Sequence, residues 1–99
     1  MSRRSRQKLA AVGVAWFKRE QWQLLREVSI DKVELENTYD EWHQMACTRI
    51  DELEKTGMKI EKVELDVPEW VKWCDEEAVP YNSSSRANYV AERLRKAEK

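Results

Sequence analysis

The chain has 99 residues, of which 41% are hydrophobic and 37% are charged. This length fits one domain with a modest core, because such a chain buries roughly two-thirds of the surface its unfolded form exposes. Two glycines and two prolines exclude collagen-like and Gly/Pro-rich disordered chains, and the isolated glycines exclude a phosphate-binding loop. The longest apolar run, Leu9–Phe17, is too short to cross a bilayer.

Charge is distributed in blocks although the net charge is only −1. Residues 1–27 sum to +5, residues 28–77 to −9 and residues 78–99 to +3. The acidic centre argues against a nucleic-acid groove through the middle of the fold. We expect the basic ends to pair with the acidic centre of the same or another chain, or to contact phosphates.

The two cysteines, Cys47 and Cys74, are too few for a disulfide framework, and no secretory signal is visible. We therefore expect a cytoplasmic protein with reduced thiols and no membrane association. Residues 1–8 are polar and basic and are predicted to form a flexible arm, and residues 9–99 a single globular domain.

The segment Ala10–Phe17 is apolar at every position and predicts a strand. A strand that is apolar on both faces needs cover on both, so we expect a central strand and not an exposed edge. Its alanines and Gly13 would let a helix approach one face closely.

Two helices are predicted next, a short one over Arg19–Val28 and a long one over Thr38–Lys55. Thr38 is the expected N-cap of the long helix, and Gly57 the left-handed residue that ends it. Between the helices, Asp31–Glu36 (DKVELE) repeats Glu61–Asp66 (EKVELD) almost letter for letter. It is therefore either a strand or a short helical turn capped by its own acids, and we favour the turn.

The alternating segment Met58–Val67 predicts a half-buried strand, with a β-bulge at Glu61–Lys62 or a start at Lys62. A helix over Asp66–Val79 follows, with Pro68 in its first turn and Pro80 stopping it. The last helix takes its N-cap from Ser83–Ser85.

These elements predict an α+β fold, a mostly helical single domain with a small two- or three-stranded sheet in the order β-α-α-β-α-α. A strand, a helical crossover and a second strand normally run parallel. Two strands alone make a poor sheet. The sheet would be completed by pairing with a second copy, or its edge would be buried under the terminal helices.

Three stretches, VGVAWFKREQW, TYDEW and LDVPEWVKWC, resemble a set of short bacterial proteins of unknown function. The resemblance covers about residues 12–97. It implies no activity, cofactor, substrate or catalytic residue.

His43 and Cys47 are four residues apart on the long helix and share a face. With Cys74 they could supply ligands to a metal, or they could form a Cys–His nucleophile pair. No CxxC or HxxxH spacing supports a metal site, so we predict neither a metal nor a cofactor. A small enzyme with a site near His43 and Cys47 stays open as an alternative.

Five tryptophans are many for a chain of 99 residues, and we expect most of them in the core. Trp70 and Trp73 are three residues apart, so one of them is predicted at a rim as an interface or ligand contact. The acids Asp75, Glu76 and Glu77 are expected to form charge pairs, either with Arg86, Arg93 or Arg95 of the last helix or with another chain. Binding of a cation by these acids is the alternative.

The leading hypothesis is a non-enzymatic interaction module that self-associates as a homo-oligomer, most simply a homodimer. The alternative is an accessory nucleic-acid-binding protein that uses the last helix and the basic arm. Phosphate contacts would then come from four side chains of the arm: Arg3, Arg4, Arg6 and Lys8.

Overall fold

The computed structural model describes residues 11–97, which form two strands and four helices. The strands are β1 (Val12–Trp16) and β2 (Ile60–Glu64). The helices are α1 (Trp22–Val28), α2 (Tyr39–Glu54), α3 (Val67–Glu77) and α4 (Ser83–Ala97). Single 3-10 turns stand at Arg19–Gln21 and Lys32–Glu34. The predicted α+β class and the order of the elements are confirmed.

The two strands pair in parallel, from Val12 opposite Ile60 to Trp16 opposite Glu64. The register is continuous, so the predicted bulge is wrong, and β2 begins two residues before Lys62. The change of phase in the sequence has another cause. Ile60 lies on the face of the sheet toward α2, whereas Val63 lies on the face toward α4, so apolar residues are needed in both phases.

Both faces of β1 carry a helix. A Cβ built on Gly13 would lie 2.9 Å from Cγ1 of Val90 and 3.2 Å from Cδ2 of Leu94, which confirms the close approach of a helix to the small residues. On the opposite face Trp16 packs edge-on against Trp42 of α2, with ring centroids 4.9 Å apart.

The expectation that β1 is a central strand is wrong for the part of the chain that the structure describes. The sheet there has two strands, so each of them is an edge. Val12, at the start of β1, remains 42% exposed. The helices cover the faces of the strand and leave its outer edge uncovered by a third strand.

Tryptophans fill much of the core, as predicted. Trp22, Trp42 and Trp70 are buried, and Trp16 and Trp73 are half-buried. The ring of Phe17 lies edge-on to Trp22 and Trp42, at centroid distances of 5.7 and 5.0 Å.

The predicted helix starts depend on local contacts and are confirmed. Thr38 Oγ1 accepts a hydrogen bond of 3.1 Å from the Glu41 N–H, which starts α2. The Asp66 carboxylate accepts from the Glu69 N–H at 3.2 Å, and Pro68 stands in the first turn of α3.

Helix ends follow the prediction less closely. Gly57 has a φ of 94°, the left-handed conformation predicted after α2. Helix α3 ends at Ala78, whose φ of 57° is also left-handed, two residues before Pro80. The N-cap of α4 is Asn82 and not one of the predicted serines, because Asn82 Oδ1 accepts from the Ser85 N–H at 3.1 Å. Ser85 Oγ accepts in return from the Asn82 N–H at 3.2 Å.

The ambiguous segment Asp31–Glu36 forms a turn, as favoured, and the strand alternative is wrong. Asp31 precedes the turn without capping it through its side chain, contrary to expectation. Its carboxylate reaches α4 instead, where it accepts from the Ser83 N–H at 3.0 Å. No helix within residues 11–97 combines the length and apolar composition needed to cross a bilayer.

Candidate functional site

The outer edge of β1 is a row of backbone groups that point away from β2. The Val12 N–H donates to the Lys59 carbonyl at 2.9 Å, and the Trp16 carbonyl accepts from the Leu65 N–H at 3.0 Å. In a parallel pair alternate residues face the partner strand. The N–H and C=O groups of Gly13 and Ala15 therefore face outward, and no strand among the described residues pairs with them.

The outer edge of β2 differs from that of β1, because β2 carries charged side chains. This strand carries Glu61, Lys62 and Glu64, all exposed. Charged side chains, lysine above all, discourage a further strand from pairing at an edge. β1 reads VGVAW and contains neither a charge nor a proline. Among residues 11–97, the edge of β1 is therefore the one that another strand could pair with.

A small apolar cleft of about 160 Å³ opens between β1 and α2. Its apolar lining comes from both elements: Val14, Ala15, Trp16, Trp42, Met45, Ala46 and Ile50, with Arg49 at one side. Met45 is 41% exposed and Val12 is 42% exposed. Apolar surface thus continues from the open edge of β1 onto the exposed side of α2.

The exposed side of α2 carries a shallow groove that shares Met45 and Arg49 with this cleft. The residues that line it recur at helical spacing: Glu41, Gln44, Met45, Thr48, Arg49 and Glu52. Glu41 and Arg49 stand four residues before and after Met45. Opposite charges therefore flank an exposed apolar side chain on a single face of the helix.

The Cys–His pair lies on this same helix but outside both concavities. Cys47 Sγ is 3.9 Å from His43 Nδ1 and 3.8 Å from Nε2, and both residues are exposed. The ring of His43 stacks on Tyr39 at 5.7 Å and meets Trp16 edge-on at 5.5 Å. No acidic side chain among residues 11–97 hydrogen-bonds to the histidine in the manner of an orienting third group.

Cys74 does not join the pair. It is fully buried in the core, where its thiol lies 3.9 Å from the Pro80 carbonyl, and burial raises the pKa of the thiol. Cys74 therefore packs as a small hydrophobic side chain of the core. Within residues 11–97, no group of three His, Cys, Asp or Glu side chains is placed to hold a metal ion.

Trp70 and Trp73 occupy different depths. Trp70 has no exposed surface, and the Arg86 guanidinium lies over its ring at 5.5 Å. Trp73 is half-buried, and its Nε1–H donates to the Glu92 carboxylate at 3.2 Å. Of the two, only Trp73 reaches the surface, so an interface or ligand role stays a prediction for that residue.

Among residues 11–97, the acids at the end of α3 form no salt bridge with the arginines of α4, so the expected pairing within the chain is wrong, and pairing with another chain stays a prediction. Asp75 accepts a hydrogen bond of 2.6 Å from the Tyr81 hydroxyl, and this bond raises the pKa of Tyr81. Arg86 pairs with Asp31 instead. Neither Glu76 nor Glu77 forms a salt bridge within the described residues. The predicted phosphate contacts of the arm, Arg3, Arg4, Arg6 and Lys8, lie outside the described residues.

The sequence predicted the apolar strand but not the surface beside it. Met45 and Arg49 lie outside the helical apolar repeat of α2, so its periodicity does not predict them as core residues. That repeat consists of Tyr39, Trp42, Ala46, Ile50 and Leu53. The available signal was a methionine on the polar face with an acid and a base four residues to either side. The chain matches no known protein-family model, no curated protein and no solved structure, and the resemblance noted from the sequence stays a prediction.

Proposed function

We propose that the chain is a non-enzymatic interaction module that self-associates as a homodimer through the outer edge of β1. The observation that carries this proposal is the uncharged strand VGVAW, with the backbone of Gly13 and Ala15 facing outward beside an apolar cleft. Such an edge is a template for a further strand.

A second copy fits this edge because the edge is self-complementary. In an antiparallel pair centred on Val14, Gly13 of one chain stands opposite Ala15 of the other. The outward groups of these residues would then form four hydrogen bonds, two at each of two symmetric positions. The two small sheets would join into one sheet of four strands, with the charged β2 strands at its outer edges.

In the joined sheet, equivalent helices of the two copies would lie on the same face. A two-fold axis perpendicular to the sheet leaves the α4 helices on one face and the α2 helices on the other. The exposed side chain of Met45 would lie near the axis, and that of Val12 would stand opposite Trp16 of the second copy, so contact with that copy removes apolar atoms of both from water. We also propose a cytoplasmic location, in keeping with the free thiols of Cys47 and Cys74.

Light scattering after size exclusion tests the proposal at micromolar concentration. We expect twice the 11.8 kDa mass of one chain. Ala15→Pro removes an outward N–H and should give a monomer. Lys62→Pro is the matched control, because it removes an outward N–H from the edge of β2 and should leave the dimer intact. A strictly monomeric parent chain, or equal effects of the two prolines, would overturn the proposal.

Disulfide trapping gives a second readout that does not depend on a proline. In the proposed register Val14 faces itself across the axis, at a Cα separation of about 4.5 Å, within the range of a disulfide. In a Cys47→Ser background, Val14→Cys should cross-link on mild oxidation. Val12→Cys should not, because the two copies of residue 12 would lie about 13 Å apart along the strands. Equal cross-linking of the two variants would rule out this register.

A further inference from the structure

The exposed face of α2 carries a pattern of opposite charges centred on Met45. Glu41, Met45 and Arg49 follow one another at steps of four residues and line one groove. All three are exposed, and Met45 keeps 41% of its surface in water. Among the salt bridges of residues 11–97, none includes Glu41 or Arg49.

This pattern is complementary to itself. When two copies of a helix lie antiparallel with Met45 at the centre, Glu41 of each copy stands opposite Arg49 of the other. The methionines meet in the middle, and an ion pair forms on either side. A reversed or shifted alignment loses at least one of these pairs, so the pattern favours one partner, a second copy, in one orientation.

The helix and the strand share the same centre. Val14, about which the β1 strands would pair, and Met45 line the same cleft. One two-fold axis perpendicular to the sheet can therefore pass close to both residues. The same axis makes the strands antiparallel and the helices antiparallel, because α2 packs against one face of the sheet.

We infer that α2 of a second copy docks against α2 around Met45, with Glu41 of each subunit paired to Arg49 of the other. This inference rests on the proposed dimer and adds the surface that fixes its orientation. The strand edge supplies backbone hydrogen bonds, which do not distinguish one partner sequence from another. The helix supplies the side chains through which the module would recognise its own copy.

Charge reversal tests the inference in the full chain. Glu41→Lys alone sets like charges against each other at both symmetric contacts, and so does Arg49→Glu alone. Each variant should dimerise about tenfold more weakly than the parent chain. In an equimolar mixture of the two variants, every contact joins opposite charges again. Native mass spectrometry should then show the heterodimer in excess of either homodimer.

A second pair of variants controls for net charge and for the helix position. Glu69 follows its N-cap Asp66 by three residues, as Glu41 follows Thr38. Glu69→Lys and Arg95→Glu therefore repeat the same charge changes on side chains that line neither the groove nor the cleft. Their mixture should show no preference for the heterodimer.

The outcomes separate this inference from the proposed function. If the parent chain is a dimer that Ala15→Pro disrupts, yet the mixture of Glu41→Lys and Arg49→Glu shows no excess of heterodimer, the edge pairing stands and the helix contact is wrong. An equal excess in the control mixture would likewise overturn the inference, because net charge alone would then explain the preference. A strictly monomeric parent chain would overturn both.

Discussion

Arg86 and Asp31 form a buried ion pair although 55 residues separate them in the chain. Arg86 Nη2 lies 2.8 Å from one carboxylate oxygen of Asp31, and Nη1 lies 3.3 Å from the other. Nη1 also donates to the Ser29 hydroxyl at 2.9 Å. Together these bonds tie the segment after α1 to the first turns of α4, which packs on β1.

Removal of one partner of this pair should destabilise the fold strongly. The side chains of Arg86 and Asp31 are only 8% and 13% exposed, so Asp31→Ala leaves a buried guanidinium without its counterion. We expect the free energy of unfolding to fall by about 3 kcal/mol, measured by chemical denaturation. Asp31→Ala with Arg86→Met should recover part of that loss, because no unpaired charge then remains inside.

The exposed pair Arg19–Asp40 provides the matched control. Its N–O distance is also 2.8 Å, but its side chains are 64% and 77% exposed. Asp40→Ala should leave the free energy of unfolding nearly unchanged, because solvent screens exposed ion pairs. Equal losses for Asp31→Ala and Asp40→Ala would show that burial does not decide the contribution of these pairs.

The distance along the chain separates what the sequence predicts from what it does not. Thr38 and Glu41, or Asp66 and Glu69, are three residues apart, and the residue types alone indicate the cap. The apolar stretch of β1 likewise predicts a strand. The pairing of Arg86 with Asp31 has no local signal, because many other carboxylates of the chain would satisfy the same arginine.

The candidate site divides in the same way. The composition of β1 is readable from the sequence, but its status as an edge depends on how many strands the rest of the chain supplies. The cleft forms only because α2 packs over Val14 and brings Met45 to the strand. The charges of Glu41 and Arg49 indicate a contact surface only because the structure places the exposed Met45 beside that edge.

Gly13 should be intolerant of even one extra methyl group. In Gly13→Ala the new Cβ would lie 2.9 Å from Val90 Cγ1, closer than side-chain atoms normally approach, so the Val90 side chain or the backbone of β1 or α4 must shift. We expect the free energy of unfolding to fall by about 2 kcal/mol. Val90→Ala should be less harmful in the Gly13→Ala background than in the parent chain, as a double-mutant cycle would show.

Gly57→Ala separates steric contact from backbone strain. No atom lies within 4 Å of a Cβ at Gly57, but its φ of 94° disfavours any side chain. A loss of about 1 kcal/mol is expected there. The losses of stability caused by Gly57→Ala and by Val90→Ala should simply add in the double variant. If the two losses did not add, the steric explanation for the coupling between Gly13→Ala and Val90→Ala would be contradicted.

Ala78 offers a stabilising substitution. It ends α3 with a φ of 57°, a conformation that glycine adopts without steric cost. Ala78→Gly should raise the free energy of unfolding by up to about 1 kcal/mol. Ala87→Gly, on the exposed side of α4, is the opposite control and should lower it by about 1 kcal/mol, because glycine weakens a helix interior. A loss of stability in Ala78→Gly would contradict this account of the helix end.

Asp66 should make the fold sensitive to acid. Gln21 Nε2 donates to its carboxylate at 2.9 Å, and this bond, together with that from the Glu69 N–H, holds the pKa of Asp66 below its ordinary value of 3.8. Gln21 Oε1 also accepts from the Val67 N–H at 2.8 Å, so one amide links the start of α1 to the start of α3. The ionised carboxylate therefore stabilises the native state above its ordinary pKa, and that contribution is lost as the pH falls through the lowered value.

Asp66→Asn isolates this titration. Asparagine is also a good N-cap, and its one side-chain oxygen can accept from the Glu69 N–H, but it carries no charge and its NH2 group replaces the oxygen that accepts from Gln21. The parent chain should be more stable than Asp66→Asn at about pH 6, and the difference should shrink toward about pH 2 as the carboxylate becomes protonated. Urea denaturation at a series of pH values measures both chains. A difference that stays constant over this range would mean that the charge of Asp66 contributes nothing to the cap, and that the carboxylate serves only as a hydrogen-bond acceptor for Gln21 and the first turn of α3.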